Sequence, residues 1–160
     1  MKKILLLFVI SVTFVFASKA QTKEPQAFDE FGSISCDDLR FRLIKFMEEI
    51  QKSNNSKGYV IVYEGGYSDK AERKISGLKK SLPSFGSAAL WSQYMIQQFK
   101  DKKFPSEKYL FVSGGVQEKY SVELWIVPKY SKPPIYKPTA DKIKYRKRKL
   151  PKLESVCNGG

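Results

Sequence analysis

Gly58-Tyr59-Val60-Ile61-Val62-Tyr63 is the stretch on which the fold turns. After the glycine every side chain is β-branched or aromatic, which suits a strand and suits a helix poorly. No polar residue alternates with them to mark a wet face, so the run reads as a central strand buried on both sides. Such a strand needs a partner along each edge and a covering layer on each face.

Upstream, Lys52-Ser53-Asn54-Asn55-Ser56-Lys57 is a polar break. Before it, Leu39, Leu43, Phe46, Met47 and Ile50 recur at spacings of three and four, giving a helix from Cys36 through Gln51 with one apolar face. Ser35 is placed to cap it, and Asp37 and Asp38 put acids in its first turn. Phe28-Asp29-Glu30-Phe31-Gly32 reads as a short strand ending at a glycine. Downstream, Gly65-Gly66 opens a turn, and Ile75, Leu78 and Leu82 allow a short amphipathic helix that Pro83 ends. A second long helix starts at Gly86 or Ser87, with Leu90, Trp91, Tyr94, Met95 and Phe99 on its apolar face. Tyr109-Leu110-Phe111-Val112 is a third strand, Ser113-Gly114-Gly115 a turn, and Tyr120 to Val127 a fourth strand, expected to pair antiparallel with the third. The order β-α-β-α-β-β predicts an α+β fold: a small mixed sheet of about four strands with two main helices packed on it.

The ends of the chain differ from this middle. Lys2 and Lys3 precede an apolar run from Ile4 to Phe16, which closes on Ala17-Ser18-Lys19-Ala20, the order of a secretory leader. The apolar run is thirteen residues, short of the roughly 20 that span a bilayer, so cleavage before Gln21 and no membrane span afterwards are expected. Residues 1–20 are then a signal peptide, 21–27 a spacer, 28–128 the folded domain and 129–160 a Pro/Lys-rich tail. The expected location is outside the cytoplasm, periplasmic or secreted. There thiols oxidise, so Cys36 and Cys157 are expected to pair, closing a long loop at a gain of about 4 kcal/mol in the chain-entropy model.

Charge is concentrated at the C-terminus. Residues Gln21 to Pro128 carry 16 basic and 14 acidic side chains, a net of +2. Residues Lys129 to Gly160 carry ten basic side chains against Asp141 and Glu154, a net of +8. Prolines and like charges both oppose compact packing, so this tail is expected to be extended and solvated. Lys142, Lys144, Arg146, Lys147, Arg148 and Lys149, interleaved with tyrosines, are the candidate contacts for a polyanion. Outside the cytoplasm the expected polyanions are peptidoglycan, lipopolysaccharide, teichoic acids or anionic lipid headgroups; nucleic acid would be met only after its release.

Other chemistry is thin. The chain has no histidine, which removes Ser-His, Cys-His and His-metal mechanisms, and two cysteines alone make no zinc site. No cofactor or metal is called for. Gly65-Gly66 and Gly114-Gly115 lack the context of a phosphate loop. Glu64, Asp69 and Glu123 are the acids that a small carboxylate-dependent hydrolase would use if two of them converged. Tyr59, Tyr63, Tyr67, Trp91, Tyr94, Tyr109, Tyr120 and Trp125 suit a core or, alternatively, a stacking platform.

The element order, Phe28-Asp29-Glu30-Phe31-Gly32 at its start and Val122-Glu123-Leu124 at its end resemble the OmpA-like family, the C-terminal domain of outer-membrane protein A. That family binds peptidoglycan in the periplasm. Its members carry a Gly-His-Thr-Asp-like turn after the second strand and Leu-Ser-x-x-Arg-Ala at the second long helix, and the aspartate and arginine hold diaminopimelate. This chain has Tyr63-Glu64-Gly65-Gly66-Tyr67-Ser68-Asp69 and Ser87-Ala88-Ala89-Leu90-Trp91-Ser92 there, with no arginine, so no ligand-binding residue carries over. The strings Phe28 to Gly32, Gly58 to Tyr63 and Glu123 to Pro128 also resemble an uncharacterised group of secreted bacterial proteins. The resemblance bears on fold and compartment; taken with the basic tail, the expected molecule is a non-enzymatic exported domain of OmpA-like fold that the tail holds at an anionic envelope surface. An assembly or adhesion subunit, pairing a sheet edge with a partner strand, is the third reading.

Overall fold

The apolar run around Val60 is the middle of an eleven-residue strand, β2 (Ser56–Gly66), and Val60, Ile61, Val62 and Tyr63 within it are buried. The computed structural model describes residues 24–53, 55–66, 82–147, 149–150, 152–153 and 156–157. The expected leader, the helix sought around Ile75 and Leu78, and Tyr67, Asp69 and Arg148 lie outside these residues. The remaining elements are β1 (Gln26–Phe31), α1 (Cys36–Lys52), α2 (Ser87–Asp101), β3 (Tyr109–Lys119) and β4 (Ser121–Pro128), with a 3-10 turn at Ser106–Lys108. The fold is α+β, with a four-stranded mixed sheet in the order β1-β4-β2-β3 and two helices.

β4 runs antiparallel to both β1 and β2, whereas β2 and β3 are parallel. This corrects the expected hairpin between the third and fourth strands. β3 continues to Lys119, leaving Tyr120 alone before β4, too short a link for a hairpin loop. The chain passes over the end of β2 instead, where the Tyr120 N–H donates to the Gly66 carbonyl at 3.0 Å, and the two strands flank β2 on opposite sides. The expected turn at Gly114-Gly115 is likewise an irregularity inside β3, where the register against β2 shifts between Val62 and Tyr63. A Cβ at Gly114 would overlap the Tyr63 ring, so this glycine serves close packing rather than chain reversal.

One sheet face carries the core. Ser35 Oγ accepts from the Asp38 N–H at 3.2 Å to cap α1, and Leu39, Leu43, Phe46, Met47 and Ile50 are buried as the spacing predicts. α2 starts after Gly86, whose left-handed φ of 80° favours glycine, and buries Ala88, Tyr94, Met95 and Phe99. Ala88 takes the place expected for Leu90, because it lies two turns before Met95 on the same stripe. These side chains pack on Val60, Val62, Val122 and Leu124. Phe28 and Phe31 both join the core, although an odd spacing should separate them across a regular strand; a bulge between Ala27 and Asp29 absorbs the difference. Asp29 also meets α1, accepting from Arg42 at 2.7 and 2.9 Å.

Candidate functional site

Residues paired across antiparallel strands share a face, so Ile61 and Tyr63 of β2 stand with Glu123 and Ser121 of β4 on the side away from the helices. Glu30 of β1 is the register partner of Glu123 on that side. No helix covers this face among the described residues; the segment beyond Pro128 does. It lacks regular pairing there because Pro133, Pro134 and Pro138 have no N–H to give a ladder. Single bonds fasten it instead. The Lys137 N–H donates to the Tyr63 hydroxyl at 3.2 Å, Gln117 Nε2 donates to the Lys137 carbonyl at 3.1 Å, and the Thr139 N–H donates to the Val116 carbonyl at 3.0 Å.

Further on, the segment runs beside the approach to α2. The Arg146 N–H donates to the Pro83 carbonyl at 3.0 Å and its Nε to Ser84 Oγ at 3.2 Å. Leu153 and Val156 pack on the core, and a disulfide joins Cys157 to Cys36 at the start of α1, with Cα atoms 5.8 Å apart. The C-terminal segment is a strap, held along its length and locked at its end.

Two features emerge along the strap. The first lies where it passes Pro83 to Gly86. Phe85 is 77% exposed and meets Tyr145 edge-on at 5.3 Å between ring centroids; Leu82, three residues before it in the chain, and Leu150, which reaches Gly86, are exposed as well. Lys142, Lys144, Arg146, Lys147 and Lys149 are all exposed on the same stretch of strap. The ion pairs among the described residues lie between Asp29 and Lys52, so none of these cations is neutralised by one. Tyr145 is pushed up from the ordinary phenol range, first by burial and then by the charge of Glu64.

The second feature is a cleft of about 990 Å³ between the sheet and the strap. Glu123 and Trp125 form its floor, Tyr130 to Lys137 its wall, and Glu24 and Pro25 its far edge. Trp125 Nε1 donates to Glu123 Oε2 at 2.8 Å, which fixes the indole. Burial pushes the Tyr63 phenol above its ordinary range; the hydrogen bond and charge of Glu123 and the charge of Glu30 add to this, and the Lys137 N–H opposes it.

Of the expected acids, Glu64 and Glu123 do not come together. Glu64 accepts from Ser87 Oγ at 2.7 Å and from the Ala88 N–H at 3.1 Å, closing the N-terminus of α2 on the helix side of the sheet. Glu123 stands on the opposite face, and Asp69 lies outside the described residues. Of the expected aromatics, Tyr63, Tyr94 and Tyr120 are buried, Trp91 and Tyr109 are partly buried against the core, and Trp125 lines the cleft. Phe85 and Leu150 escaped the sequence reading. A large apolar residue between a proline and a glycine, where a turn has no core to fill, was the available signal. No described helix is long and apolar enough to cross a membrane, and no group of three potential metal ligands occurs among the described residues. No protein-family model, curated protein or solved structure matches this chain.

Proposed function

We propose that this protein is an exported, non-enzymatic binding domain that sits on an anionic lipid surface through the patch around Phe85. One observation carries the reading: a nearly bare phenylalanine meets Tyr145 edge-on, the exposed Leu150 reaches the neighbouring Gly86, and four exposed lysines stand on the same strap. Binding to a bilayer surface strengthens with the apolar area buried and with electrostatic attraction to anionic lipids, and the ring and the lysines supply one of each. Each lysine near an anionic surface contributes about 1 kcal/mol, and Phe85 adds burial of its ring at the headgroup boundary. Export is supported by the leader-like order of residues Lys2 to Ala20 and by the disulfide, a bond rare in reducing compartments. The non-enzymatic reading draws on the commitment of Glu64 to α2.

Cosedimentation of residues 21–160 with liposomes tests this. Binding is expected to phosphatidylglycerol-containing vesicles and not to pure phosphatidylcholine. K142Q/K144Q/K147Q/K149Q should weaken it by roughly three orders of magnitude, at about 1 kcal/mol per lysine. Phe85→Ser should weaken it at low and high salt alike, because its contribution is apolar. Binding that Phe85→Ser leaves untouched, and that purified sacculi or lipopolysaccharide compete away at low salt, would replace the lipid reading with general polyanion attachment.

A further inference from the structure

The cleft on the opposite sheet face calls for a different kind of ligand. Its volume of about 990 Å³ stands at the upper end of the range for small-molecule sites, enough for a short chain of linked rings rather than a single one. Its lining is charge-balanced, with Glu24 and Glu123 against Lys132 and Lys137, so it selects neither a polyanion nor a polycation. Trp125, Tyr130 and Tyr136 offer flat apolar surfaces that stack on the C–H faces of sugar rings, and the carboxylates and ammonium groups between them accept from and donate to hydroxyls. Glu123 is already oriented by Trp125 Nε1, so both the stacking surface and the acceptor are set before a ligand arrives.

We infer that the cleft between β4 and the strap, floored by Trp125 and Glu123, binds a neutral oligosaccharide. The sugar stacks on the indole, hydroxyls donate to the free lone pairs of Glu123, and the strap residues Pro133 to Tyr136 close over the chain. The site shares no residue with the Phe85 patch, so sugar binding needs no lipid and no basic cluster.

The test is calorimetric titration of residues 21–160 with cellohexaose, maltohexaose and chitohexaose, separately, in the absence of lipid. Saturable binding of at least one is expected, little changed by salt because the ligand carries no charge. Trp125→Ala should abolish it, with retained fold checked by circular dichroism. Glu123→Gln keeps the shape of the side chain but loses the charge-assisted acceptor, and should weaken binding about tenfold. K142Q/K144Q/K147Q/K149Q should leave it unchanged. Absence of binding to all three sugars at about 10 mM overturns the inference, as does binding indifferent to both cleft variants. Recognition of an acidic oligosaccharide alone, lost with the lysines, overturns it as well.

Discussion

The two faces of the sheet are covered by different means. On one, α1 and α2 bring side chains at helical spacing, and Phe46, Leu43, Ile50, Met95 and Phe99 fill the space against Val60, Val62, Val122 and Leu124. On the other, a proline-rich strap without periodicity crosses the strands, held by scattered hydrogen bonds and the Cys36–Cys157 bond. A helix delivers an apolar residue to the same face every turn and can fill a layer; an extended strap delivers too few, so it covers the face without filling it. The cleft above Trp125 is the space left over, and the half-buried Glu123 beside it is tolerated because a neighbour donates to it. Stability is thus concentrated on the helix side, and the two proposed binding surfaces both lie alongside the strap.

Substitutions on the two sides should separate accordingly. Phe46→Ala removes a fully buried ring from the helix face and should cost about 3–5 kcal/mol in urea denaturation. If it costs no more than changes on the strap side, the contrast between the faces is wrong. Replacing both Cys36 and Cys157 by serine should cost about 2–4 kcal/mol and leave the strap more open to proteolysis than the helices. Strap cleavage no faster than in the parent protein would mean that Arg146 and the packed Leu153 and Val156 hold it without the bond.

Tyr63→Phe is the smallest change and the most local. It removes the acceptor for the Lys137 N–H and should cost about 1 kcal/mol. It should also alter the alkaline limb of the stability profile. The folded-state pKa of Tyr63 is raised above that of the unfolded chain, so its contribution is complete below about pH 10. That contribution is lost as pH rises from the unfolded value through the folded one. Ultraviolet titration of the folded protein should show Tyr63, like Tyr145, ionising late among its nine tyrosines, and the variant should lose the Tyr63 step. A phenol that titrates with the others would show that the strap does not seal it.

Much of this was legible in the chain itself. The helix from Cys36 was readable because all five of its buried residues follow one local period, and the β2 core because Tyr59 to Tyr63 carries no polar residue. The pairing of β3 with β2 was not readable, since strand partnership depends on contacts far apart in sequence and a glycine pair mimics a turn. Gly114 is there for the Tyr63 ring, fifty-one residues away in the chain. The site residues divided in the same way. Lys142 to Lys149 stood out as a charge run, whereas Phe85 and Trp125 gained meaning only beside Tyr145 and Glu123.

Local order and charge, then, are written in the sequence: periodicity selects helix or strand, a serine caps α1, and ten basic residues beyond Pro128 make that end positive wherever it lies. Which strands meet, which face the strap covers, and what the cations stand beside were decided by tertiary structure. These depend on how long-range closure shares a limited apolar surface between two faces, a balance that no single stretch of residues contains.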